Sequence, residues 1–113
     1  MLAYFPWDIS PAGKDKVTAR LQGFVEKGLN ECCDVRGVSY GWGVENDFPV
    51  RGEEGQVAPI FTAFIGWPSI DAYMKFRETA AFKENVDLIR GMEGMVKLAM
   101  FHISCRVFVQ KAE

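Results

Sequence analysis

Residues 57–76 read VAPIFTAFIGWPSIDAYMKF, and the change of pattern within them decides the fold. Val57 to Trp67 is almost continuously apolar, the signature of a strand covered on both faces and therefore central in its sheet. At Pro68-Ser69 the pattern changes, with a serine able to cap the first turn of a helix. Ile70, Tyr73, Met74 and Phe76 then supply a buried side at helical spacing. Thr79 offers a second cap after a kink, and Phe82, Val86 and Ile89 carry the apolar stripe on until Gly91 and Gly94 end it.

Upstream, Asp34 to Glu45 alternates as a strand. Val38, Tyr40, Trp42 and Val44 lie on one face, and Gly37, Ser39, Gly41 and Gly43 on the other. A face of small residues implies close approach by something else. Asn46 to Gln56 has no periodicity and is expected to be a loop. Earlier still, Ser10-Pro11 opens an amphipathic helix on which Val17, Leu21, Phe24, Val25, Gly28 and Cys32 recur, running to about Cys33. Leu2–Trp7 reads as a first strand, and Val96 to Val109 as a long last one. On that last strand Ala99, Phe101, Ile103, Cys105 and Val107 share a face; Leu98, Met100, His102, Ser104 and Arg106 share the other. The order β-α-β-β-α-β predicts an α+β, ferredoxin-like unit, a four-stranded antiparallel sheet with two helices on one face. Its other face is also largely apolar, which predicts a homodimer packed sheet on sheet.

At 113 residues, with 49% hydrophobic and 25% charged, the chain has the composition of one globular domain spanning residues 1–113. A net charge of −2, with 13 scattered basic residues, argues against a nucleic-acid partner. The opening MLAYFPWD lacks a basic leader and a cleavage site, and no run of about 18 apolar residues occurs, so no membrane association is expected. Cys32, Cys33 and Cys105 form a poor disulfide framework, which favours a reducing, cytoplasmic setting. No metal site is expected, since His102 is the one histidine.

Several stretches resemble a known family. Tyr40-Gly41-Trp42-Gly43-Val44-Glu45-Asn46, Phe64-Ile65-Gly66-Trp67-Pro68-Ser69-Ile70-Asp71-Ala72-Tyr73, Phe76-Arg77-Glu78-Thr79 and Phe82-Lys83-Glu84 look like the dimeric α/β-barrel proteins, in particular the antibiotic biosynthesis monooxygenase-like domains common in fungi. Met100-Phe101-His102-Ile103 matches the way such domains end, with a histidine in the last strand. The resemblance covers roughly Gly37 to Val109 and implies a dimeric α/β barrel. Its members include cofactor-independent oxygenases, polyketide cyclases, decarboxylases, haem-degrading enzymes and stress proteins. Many relatives carry a helix histidine where this chain has Tyr73, so a mechanism relying on that histidine is not carried over.

His102 is the candidate catalytic residue, because imidazole exchanges protons at neutral pH and Met100, Ser104 and Arg106 share its face. The plain alternative is a histidine hydrogen-bonded in the sheet or at a dimer contact. Arg106 suits a carboxylate or enolate oxygen, or else a surface ion pair. Tyr4, Tyr40 and Trp42 are candidate aromatic walls, with Thr62 and Tyr73 beside them, for a flat apolar ligand; core packing would use the same residues. Trp67 is expected to staple the strand–helix junction instead. The reading that follows is a small homodimeric enzyme, needing no cofactor, that acts on a hydrophobic aromatic or polyketide-like molecule. Cyclisation, isomerisation, decarboxylation and cofactor-independent oxygenation all fit its acid–base chemistry. The alternatives are a non-catalytic ligand-binding or stress-response dimer, and an amino-acid-binding regulatory module.

Overall fold

The computed structural model describes residues 1–104, and its helices begin where side chains can cap them. Ser10 Oγ accepts a hydrogen bond from Gly13 N at 3.0 Å, and α1 runs Pro11–Lys27. Ser69 Oγ accepts from Ala72 N at 3.2 Å ahead of α2 (Ile70–Phe76). Thr79 Oγ1 accepts from Phe82 N at 3.2 Å ahead of α3 (Ala80–Asn85), and α4 (Asp87–Arg90) follows and stops at Gly91. Each cap satisfies an amide that the first helical turn leaves without a partner. α1 ends short of the expected Cys33. Gly28 closes it by donating to Phe24 O at 2.8 Å, and a 3₁₀ turn, Leu29–Glu31, leads to Cys32.

Among the described residues six strands are formed: β1 (Leu2–Tyr4), β2 (Gly37–Trp42), β3 (Phe48–Pro49), β4 (Val57–Ala58), β5 (Ile60–Gly66) and β6 (Lys97–Ala99). Four of them make an antiparallel sheet in the order β2-β5-β1-β6, with Leu2 opposite both Thr62 and Ala99 and Trp42 opposite Phe61. β5 is an interior strand, as its unbroken apolar run predicts. All the helices lie on one face. Ala3, Phe5, Phe61 and Ala63 from the sheet join Val17, Leu21, Phe24, Phe76 and Ile89 from the helices in the main core. Burying each large side chain there contributes roughly 1.5–3 kcal/mol. The architecture is α+β and compatible with the ferredoxin-like fold. No helix among the described residues is long and apolar enough to cross a membrane.

Four expectations need correction. The segment 46–56 is not all loop, because β3 pairs with β4 and Val50 N donates to Gln56 O at 2.9 Å. Gly52 and Gly55, both in the left-handed region at φ 81° and 77°, allow its turns. Val57–Trp67 is not one strand but two, divided at Pro59. Proline has no amide for a ladder, and its carbonyl accepts from Phe5 N at 3.1 Å instead. The first strand stops at Tyr4, before Pro6, and leaves Trp7 81% exposed. Among the described residues the last strand is regular over Lys97–Ala99. Ala99 faces Leu2, the first residue of β1, so Met100–Ser104 lie beyond the reach of β1. The expected continuation through Cys105, Arg106, Val107 and Val109 lies outside the described residues.

The sheet's second face is also only partly open. The β3–β4 hairpin folds back across it, and Val50 and Ala58 bury Tyr4, Ile60 and Ala99 in a second, smaller core flanked by Phe48 and Leu2. Phe48 lies so close over Gly43 that a Cβ there would collide with its ring and stand 2.9 Å from Ile60 Cγ2. The small residue expected to admit a neighbour does so at Gly43. Gly37 and Gly41 face open space.

Candidate functional site

Between the sheet and the helices the main core is incomplete. A cavity of about 320 Å³ opens there. The sheet contributes Ile65, Leu98 and Met1, α1 contributes Leu21 and Phe24, and the broken helix contributes Tyr73, Phe76, Phe82, Val86 and Ile89. Trp67 and Met100 extend the wall at the two chain segments that leave the sheet. The interruption of the second helix at Arg77–Thr79 shapes this space. It turns Tyr73 and Phe76 on one segment and Phe82 on the next around a common centre, with Phe76 and Phe82 ring centroids 5.5 Å apart. Aromatic rings therefore line one side of a hollow whose remaining wall is mainly aliphatic, as suits a flat apolar guest.

The polar side chains of the lining stand at the rim. Arg77 and Arg90 belong to the lining, and both are exposed. The Arg77 guanidinium stands over Tyr73 and Phe82, 6.0 and 5.9 Å from their centroids, and Arg90 stands over Phe82 at 5.8 Å. The His102 ring meets Tyr73 edge to face at 4.9 Å, exposed at the lip. On the inner side, the Met1 ammonium donates to Ala63 O at 3.0 Å, and burial pushes that amino group below its ordinary pKa.

Of the residues singled out from sequence, the structure brings Tyr73 and Met100 to the cavity wall, and His102 touches that wall only through its ring contact with Tyr73. It places the others elsewhere. Tyr4 is buried on the opposite face of the sheet, its hydroxyl accepting from Arg51 N at 3.3 Å. Thr62 is on that same opposite face and donates to Gly41 O at 3.4 Å. Tyr40 and Trp42 do face the helices, but against α1 and away from the cavity. Tyr40 accepts from Gln22 Nε2 at 2.9 Å, and Trp42 Nε1 donates to Thr18 Oγ1 at 3.2 Å while its ring packs on Phe5 and Phe61. Ser104 is exposed, and Arg106 lies outside the described residues.

Trp67 does staple the junction, packing on Tyr73 and Phe76 at 5.7 and 5.4 Å, yet it also lines the cavity. Arg77 and Arg90 are the residues that sequence reasoning missed. A signal was available, since Tyr73, Arg77 and Phe82 recur around the Thr79 break as aromatic and cationic neighbours of one helix face. Among the described residues no cluster of three or more His, Cys, Asp or Glu side chains is placed to hold a metal. Cys32 and Cys33 are free thiols. Comparison of the chain with protein families, curated proteins and solved structures gives no match.

Proposed function

We propose that this chain binds a hydrophobic, aromatic-sized small molecule in the cavity between sheet and helices, as a dimer of the α/β-barrel type to which its sequence bears a resemblance. The observation that carries this reading is the cavity itself, about 320 Å³ in volume and walled by Trp67, Tyr73, Phe76 and Phe82. A void of this size in a core otherwise packed as tightly as that around Phe5 and Phe61 costs stability, and occupation by a ligand offsets the cost. The dimer is supported by the part of the second sheet face that the hairpin leaves bare, where Phe64 is 50% exposed.

A second reading, acid–base catalysis on the bound molecule, is favoured by the contact between His102 and the cavity-lining Tyr73. An imidazole at the lip reaches a reacting carbon or oxygen at the outer end of a guest. By removing a proton from a carbon next to a carbonyl it leaves an enolate, the shared first step of isomerisation and cyclisation. No bound cofactor is needed for that step.

Titration with the neutral apolar fluorophore N-phenyl-1-naphthylamine tests the binding reading. Saturable uptake is expected, and Val86→Trp, which fills the cavity, should abolish it while circular dichroism stays unchanged. Absence of uptake by the unsubstituted protein sinks the proposal. For catalysis, the α-proton exchange of 2-tetralone in D₂O should be accelerated by the protein. His102→Ala should remove the acceleration without changing fluorophore uptake. Equal exchange in both proteins leaves a binding protein only.

A further inference from the structure

We infer that the molecule taken by the cavity is an amphiphile with an apolar body and a single carboxylate head, held at the mouth by Arg77 and Arg90. This inference rests on the cavity reading above and specifies its ligand class. The two arginines differ from their neighbour Arg20 in what their donors do. Arg20 is committed to the fold, with Nε donating to Leu88 O at 2.8 Å and Nη2 to Asp87 O at 2.6 Å. Arg77 and Arg90 make no such side-chain hydrogen bond among the described residues. Nor do they form an ion pair there, where the one such pair is Lys97–Glu53 at 3.6 Å.

Both guanidinium groups are instead laid against rings that line the cavity, and both meet the same ring, Phe82. Each guanidinium stands within 6.0 Å of a ring centroid of the wall with its N–H donors uncommitted among the described residues, and a guanidinium fork matches a planar carboxylate. A neutral guest would satisfy the apolar wall and leave the rim donors to water. An acid satisfies both, with its body inside and its head still partly hydrated at the mouth. The His102 ring lies beside the same wall, in contact with Tyr73.

Isothermal titration with 2-naphthoate and with 2-naphthylmethanol, which share an aromatic body and differ in the head group, tests the inference. The protein should bind naphthoate at least about tenfold more tightly, the effect of a charge-assisted hydrogen bond at a partly exposed site. The preference should shrink as salt is raised. Arg77→Gln combined with Arg90→Gln should bring the acid down to the affinity that the same variant shows for the alcohol, with the melting temperature unchanged. Equal affinity of the unsubstituted protein for both compounds overturns the carboxylate inference and leaves the cavity reading intact. Binding of neither compound overturns both.

Discussion

At the scale of single residues, Gly43 and Gly37 show how one residue type serves different ends on one strand face. Gly43 admits the Phe48 ring, whereas a Cβ at Gly37 would meet nothing within 4 Å. Gly43→Ala is therefore expected to displace Phe48 and loosen the hairpin, at a cost of about 1–3 kcal/mol in urea unfolding. Gly37→Ala should stay within about 0.5 kcal/mol of the parent. Equal effects would mean that the hairpin is not seated on Gly43. The alternation of small residues was legible in the sequence because strand geometry fixes which side chains share a face. What approaches such a face is a tertiary fact. The same limit governs the site residues, since Tyr4 and Thr62 are as aromatic or polar as Tyr73 but stand on the far side of the sheet.

At the scale of elements, Thr79 does two things at one break. Its hydroxyl accepts from Phe82 N and donates to Phe76 O at 2.6 Å, tying the end of α2 to the start of α3. Thr79→Ala should lose about 1 kcal/mol of stability by thermal or chemical melting. It should also weaken uptake of the naphthylamine fluorophore, because Phe76 and Phe82 would no longer be held around the cavity. A stability loss with uptake unchanged would separate the cap from the site. The three caps were readable in advance, since a serine or threonine before an apolar helical stripe satisfies local amides. The β3–β4 hairpin was not. Two strands of two residues leave no periodicity to detect, and only Gly52 and Gly55 in their turns hinted at it. Pro59, in contrast, was a readable break inside an otherwise persuasive strand.

At the scale of the whole molecule, the proposed dimer places its demand on the uncovered part of the sheet. Phe64→Glu puts a charge at the middle of that surface, on an interior strand and already 50% exposed, so the monomer should fold normally. Light scattering should report a dimer for the parent and a monomer for this variant. A monomeric parent at micromolar concentration would remove the dimer from the proposal and leave the cavity. The order of the four sheet strands and of the helical segments between them was legible because each apolar period is local. The partial closure of the second face was not, since it depends on a segment with no period of its own. The sheet order also has a consequence for how the chain is made. β1 sits between β5 and β6, and its first residue pairs with Thr62 on one side and Ala99 on the other. During synthesis α1 can coil as soon as it emerges, whereas β1 must wait for β5 to pair one edge and for β6 to pair the other. The strand made first of the four is thus the one whose second edge is closed last, and until then it is a bare edge open to any other strand.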